Sequence, residues 1–302
     1  MFPAYGFLGI FLVILSYLFN FTLFIPEKYL GLILPHFFFI IGLFLFFDAS
    51  NFMLHRRSLL YGVKDREYLA LKLLSLGFIL GIIFEWYGVY ISDLWYSYFQ
   101  SYFQAGHSFY FWMHYFLGLL AGYGLPSLMY FSAYDFFSSL LKMNHFLKKA
   151  FANKGFFITV SEKAFLFLGL IGTIFLILPI VLFRQSLNWN PVIRGLLFGF
   201  CLLGLWFILE YIEHRMHRHT FLTTLLHKNF IPLLTLLIIS VVVSLSWESL
   251  NVLRPSWVYH HLPLMGFTFF GLPVTLIIAW PMLFVIYFSA YRIIFNDKKR
   301  IW

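Results

Sequence analysis

Eight apolar runs follow one another along the chain, at about 2–25, 29–50, 68–91, 108–140, 163–183, 193–214, 230–250 and 264–295, each broken off by a short polar or proline- and glycine-containing stretch. An α-helix rises 1.5 Å per residue, so about 20 mainly apolar residues cross a hydrocarbon layer of ~30 Å. The pattern therefore predicts an all-α polytopic membrane protein of about eight transmembrane helices. The fourth and eighth runs are the longest, and each holds a Gly-Leu-Pro, at Gly124, Leu125, Pro126 and at Gly271, Leu272, Pro273. Proline removes a helix hydrogen bond, which predicts a kink in both. The first run lacks a basic leader and a small-residue cleavage site, and it reads as a retained helix rather than a signal peptide.

The polar positions between the runs set the topology. With eight spans, the connections near 51–67, 142–162 and 215–229 lie on the same side as both termini, and that side carries 16 of the 21 Lys and Arg residues. The opposite side carries Lys28, Arg184, Arg194 and Arg254, and Lys72 falls inside a run. Basic loops stay in the cytoplasm, so both termini are placed there, in a cell membrane with multiple passes. Trp86, Tyr87, Tyr90, Trp95, Tyr96, Trp257 and Tyr259 crowd the other ends, partly as an aromatic belt.

The second half repeats features of the first in the same order. His55-Arg56-Arg57-Ser58-Leu59 closes the second run and His217-Arg218-His219-Thr220-Phe221 the sixth. Glu85 stands beside Trp86 near the outer end of the third run, and Glu248 beside Trp247 near that of the seventh; Trp95 and Trp257 follow. Tyr130-Phe131-Ser132-Ala133-Tyr134 recurs letter for letter at Tyr287 to Tyr291. The chain thus divides into a four-helix repeat at 1–141, a basic cytoplasmic linker at 142–162 and a second four-helix repeat at 163–302. An even number of spans per repeat makes the two parallel, related by an axis along the membrane normal.

Composition agrees and removes several functions. Hydrophobic residues make up 62% of the chain and charged ones only 11%, whereas a soluble domain carries about a quarter charged residues. The net charge of +9 is scattered over short loops, not gathered in a stripe, so nucleic acid is not a partner. Cys201 is the only cysteine and excludes internal disulfides and thiolate clusters. P-loop, dinucleotide-binding, nucleophile-elbow and HExxH patterns are all missing.

Two groups of residues carry candidate chemistry. Glu85 and Glu248 are acids inside apolar runs, where a charge costs roughly 2.5–3.5 kcal/mol and normally faces an interior cavity. A buried carboxyl can hold its proton and donate it to an apolar substrate, and the rings of Trp86, Trp95, Trp247, Trp257 and Tyr259 can face a developing cation. The competing structural reading is that each acid only bonds a neighbouring Trp, Asn or backbone group, and that the rings belong to the belt. The second group is Glu210, Glu213, His214 and His217, one helix face by their i, i+3, i+4, i+7 spacing, with Asp48, Asn51 and His55 in the equivalent places of the first half. Imidazole and carboxylate together suit zinc or iron. The structural alternative there is a set of salt bridges with Arg56, Arg57, Arg215 and Arg218. His36, His107 and His114 are isolated and read as packing residues.

Trp247-Glu248, Trp257, Tyr259, then Gly271-Leu272-Pro273-Val274 leading to Ala279-Trp280-Pro281, resembles the carotenoid hydratases and small membrane lycopene cyclases. The chain from about 45 to 295 also resembles a group of bacterial polytopic membrane proteins with duplicated Trp/Glu segments and no assigned activity. In the first half the Ala-Trp that would follow Pro126 is absent. The resemblance implies that Glu248, with Glu85 as partner, protonates an isoprenoid double bond and that no cofactor is required. Three functions are then open: an enzyme acting on an isoprenoid or long-chain lipid by proton transfer, a proton- or cation-coupled transporter or lipid-binding protein using the same acids, and a metal-dependent membrane oxidoreductase. The partners implied are membrane lipids and an apolar small molecule.

Overall fold

A computed structural model describes residues 2–21, 30–61, 66–97, 115–145, 149, 160–186, 188–253, 255–264, 266–269 and 272–295. Most of the 142–162 linker, His107, His114 and Gly271 lie outside the described residues. The elements are α1 (Ala4–Phe21), α2 (Leu30–His55), α3 (Arg66–Glu85), β1 (Trp95–Ser97), α4 (Leu125–Met143), α5 (Glu162–Ser186), α6 (Pro191–Arg215), α7 (Phe221–Leu226), α8 (Ile231–Ile239), α9 (Leu245–Leu253), β2 (Trp257–Tyr259), β3 (Thr268–Phe269), β4 (Leu272–Pro273) and α10 (Val274–Ile294). Three π-helical segments join or extend them: Trp86–Ile91 after α3, Leu120–Gly124 before α4, and Ser240–Ser244 between α8 and α9.

The protein is an all-α polytopic membrane protein. Among the described residues seven helices are long and apolar enough to cross a membrane: Leu34–His55, Tyr68–Ile91, Tyr115–Met143, Glu162–Phe183, Val192–Arg215, Ile231–Leu253 and Val274–Ile294. Only a helix that bonds its own backbone is tolerated in hydrocarbon, which is why the apolar runs adopt this form. The first run forms a shorter apolar helix. Its 18 residues reach about 27 Å at 1.5 Å per residue.

The two Gly-Leu-Pro sequences behave differently. Before Pro126 the backbone widens into the Leu120–Gly124 π segment, a form that absorbs an interrupted hydrogen-bond ladder. Pro273 lies at the end of β4 and forms the N-cap of α10, so the expected helical run from 264 starts only at Val274. Proline has no N–H to continue a ladder and fits ahead of a first turn, where none is needed. The kink expected inside that span is therefore not at Pro273; the proline inside α10 is Pro281.

The residues group into two compact units. The first comprises Met1–Phe84, Trp95–Phe136 and Val242–His260; the second comprises Glu85–Leu94, Phe137–Val241 and His261–Trp302. In the first, α1 lies along α2 with Gly9 and Gly42 face to face: a Cβ on Gly9 would come 2.6 Å from the Gly42 carbonyl oxygen, and one on Gly42 would come 2.7 Å from that of Gly9. Small residues permit such close approach between membrane helices. In the second, α5 lies along α6 in the same manner, with a Gly172 Cβ 2.9 Å from the Gly204 oxygen and a Gly204 Cβ 2.8 Å from that of Gly172. β1 and β2 pair antiparallel within the first unit, with Trp95 opposite Tyr259, Tyr96 opposite Val258 and Ser97 opposite Trp257.

Candidate functional site

Glu248 sits in the first turn of α9, directly after the Ser240–Ser244 π segment. It is 2% exposed. Tyr259 donates a hydrogen bond of 2.7 Å to its Oε1, and the Trp257 side chain is a further hydrogen-bonding partner of the carboxylate. Tyr130 lies close enough for its hydroxyl to interact with the same charge. Oε2 is buried and has no hydrogen-bond partner among the described residues.

The chain returns to Glu248 because Asn251, one turn further on, clamps the following loop. Its Oδ1 accepts from the backbone N–H groups of Ser256 (2.8 Å) and Trp257 (3.1 Å), and its Nδ2 donates to the Trp257 carbonyl at 2.9 Å. This fixes β2, and pairing with β1 brings Trp95 opposite Tyr259. From α1, the Tyr17 hydroxyl donates to the Ser246 carbonyl at 3.1 Å and bonds Ser249 Oγ at 2.8 Å, tying α9 down on the far side. Trp247 and Trp257 lie 6.4 Å apart between ring centroids. The His36 ring, near the start of α2, is 4.9 Å from Trp257 and 6.3 Å from Trp247. His36 is 8% exposed, and its Nδ1 also has no hydrogen-bond partner among the described residues.

Five expected site residues are therefore gathered in the first unit: Glu248, Trp247, Trp257, Tyr259 and Trp95. Glu85 and Trp86 belong to the second unit, where Glu85 is half-buried and Trp86 is 45% exposed. His36 and Tyr130 were not among the expected site residues. Tyr130 had a signal, since it opens the repeated five-residue motif. His36 had none, because one histidine in a phenylalanine-rich run looks the same whether it packs or binds.

The expected metal face does not assemble. Among the described residues no three His, Cys, Asp or Glu side chains group so as to hold a metal ion. Four of the six have other partners and two are exposed. Glu213, fully buried, pairs with Arg292 at 2.9 Å and accepts from Ser289 at 3.2 Å. Arg292 in turn donates to the His219 carbonyl at 3.0 Å, and Arg218 donates to the Arg292 carbonyl. Glu210 accepts from the Trp206 indole (2.9 Å) and from the Leu222 N–H (3.0 Å), with the Thr220 hydroxyl as a further partner. His214 stacks on Phe165 with ring centroids 3.9 Å apart. His217 is exposed, with φ 54° just past the end of α6. In the first unit Asp48 accepts from Tyr5 (2.9 Å), Ser58 (2.7 Å) and the Leu60 N–H (3.3 Å), and His55 is exposed at the end of α2. The acids of this face staple the turns that follow α2 and α6. The expected salt bridges take a different form as well: Glu213 meets Arg292, a partner from the last span.

No protein-family model, no curated protein and no solved structure matches the chain.

Proposed function

We propose that the protein is a membrane-embedded enzyme that acts on an isoprenoid or other long-chain lipid by proton transfer, with Glu248 as the acid. One observation carries this reading. A buried carboxyl group lies beside Trp257 and Tyr259, with one oxygen bonded to Tyr259 and the other left without a partner among the described residues. Leaving a buried polar atom unsatisfied costs about 1–3 kcal/mol, and such a cost persists where something else meets the atom.

The chemistry follows from the surroundings. The proton passes from the carboxyl oxygen to one carbon of a double bond, the π pair forms the new C–H bond, and the carboxylate keeps the O–H electrons. Indole faces attract the cation left on the neighbouring carbon. That cation is discharged by loss of an adjacent proton to the carboxylate, or by bonding a water oxygen whose extra proton passes to the carboxylate.

We further propose that the chain arose by duplication of a four-span unit, 1–141 and 163–302 joined by 142–162, lying parallel in a cell membrane with both termini cytoplasmic. Support comes from contacts that recur at offsets of 157 to 163 positions. Asp48 takes Ser58 and the Leu60 N–H; Glu210 takes Thr220 and the Leu222 N–H. Gly42 on Gly9 recurs as Gly204 on Gly172. Asn51 donates to the Ser132 carbonyl at 2.8 Å, where Glu213 accepts from Ser289 in the same recurring motif.

Lipid extracted from the purified protein and identified by mass spectrometry is expected to contain a long-chain isoprenoid or related unsaturated lipid, and protein incubated in D2O is expected to place deuterium on it. Glu248→Gln is expected to retain the lipid and lose at least about a hundredfold of the incorporation, the usual contribution of a positioned acid. Recovery of bulk phospholipid alone, or undiminished incorporation by the variant, refutes the proposal.

A further inference from the structure

We infer that His36 is a second polar contact of the Glu248 site and that together they select a long-chain molecule ending in a hydroxyl group. The inference rests on the reading of Glu248 as the site's acid and names what that site takes. Two buried polar atoms, Glu248 Oε2 and His36 Nδ1, lack partners among the described residues. Both groups border the Trp257 indole, which neighbours the carboxylate and has its ring centroid 4.9 Å from that of His36; the Trp247 ring lies 6.3 Å from His36.

The pair narrows the ligand chemistry. The protonated carboxyl donates through the oxygen that Tyr259 leaves free, and an imidazole nitrogen either donates or accepts according to its tautomer. A hydroxyl both donates and accepts at one oxygen, so it satisfies either combination without bringing a charge into an apolar site. A hydrocarbon leaves both atoms unsatisfied. A phosphate end requires a cationic partner, and Arg or Lys is not among the residues named around this site. The indoles of Trp247 and Trp257 flank His36, which fits a long isoprenoid or alkyl chain.

His36 has a positioning role in this scheme: it holds the hydroxyl and leaves proton donation to Glu248. Its environment distinguishes it from the histidines at the helix ends. His55 and His217 are exposed, and His214 lies flat on Phe165.

The test uses the purified full-length chain in nanodiscs, with tritiated geranylgeraniol as the probe and the C20 hydrocarbon lacking the hydroxyl as competitor. Two hydrogen bonds of ordinary net strength are worth about tenfold in affinity, so the alcohol is expected to bind about tenfold more tightly. His36→Phe keeps the ring and removes both nitrogens; it is expected to lower alcohol binding several-fold and leave hydrocarbon binding unchanged, and His36→Gln is expected to restore part of the difference. Equal binding of alcohol and hydrocarbon by the unaltered protein overturns the inference, and this comparison does not depend on any variant folding. Discrimination that survives His36→Phe also overturns it. A protein that prefers the alcohol but places no deuterium on any lipid keeps this inference and refutes the proton-transfer proposal.

Discussion

Glu213 and Arg292 show how much one residue decides once it is enclosed. They stand 0% and 3% exposed at the ends of α6 and α10, 2.9 Å apart. Removing one member of a buried pair strands the other charge and costs roughly 3–5 kcal/mol, whereas replacing both by apolar groups of similar volume is often close to neutral. Glu213→Leu and Arg292→Met are each expected to lower the Tm in detergent sharply, and the double variant to recover most of the loss; a double variant as unstable as the sum of the singles contradicts the pairing. The sequence disclosed these residues unevenly. Glu213 was visible as a charge in an apolar run, but its partner lies 79 positions away, and the local i, i+3, i+4 spacing pointed to a metal set instead. Glu248, Trp247, Trp257 and Tyr259 were legible because an acid beside tryptophan is rare in such a composition. His36 was not, since its meaning comes from α9 and β2 packing against it, and no pattern within α2 encodes that.

At the scale of elements, the helices were legible because their cause is local. An apolar run of sufficient length must bond its own backbone in lipid, and the apolar runs are helical with ends within a few residues of those expected wherever a polar turn follows. The exception is 264–273, as apolar as a span yet containing β3 and β4, where Pro273 sets the start of α10. Hydropathy does not register that effect. The π segments were equally unmarked, although one precedes α9 and another follows Glu85. The helix pairs α1–α2 and α5–α6 make a sharper statement, because both depend on facing glycines. Gly42→Val and Gly204→Val each place a side chain against a backbone oxygen and are expected to cost roughly 1–3 kcal/mol as overpacked contacts, seen as lower Tm in matched detergent. Unchanged melting for both would mean that the helices do not approach as described.

For the whole molecule, the direction of the spans is the property most open to direct measurement. Asn51 of α2 meets Ser132 of the fourth span, and Glu213 of α6 meets Ser289 of α10. Each contact joins two spans that run in the same direction in the proposed topology. Cys201, the only cysteine, is buried, so the native chain already serves as a quiet background for labelling. Arg57→Cys is expected to react with a membrane-impermeant maleimide only after the cells are opened, and Asn188→Cys to react in intact cells; the reverse pattern would invert the proposed topology. The β1–β2 ribbon bears on how such a molecule came about. In the proposed duplication Trp257 is the counterpart of Trp95, and the Trp95–Tyr259 pair is then the Ser97–Trp257 pair turned through half a circle. A segment that meets its own counterpart in this way is self-complementary, the property that closes a homodimer about a two-fold axis. A half-length ancestor with this strand would have carried the means to recognise its twin, and joining two genes end to end would have turned an encounter between molecules into a fixed seam within one.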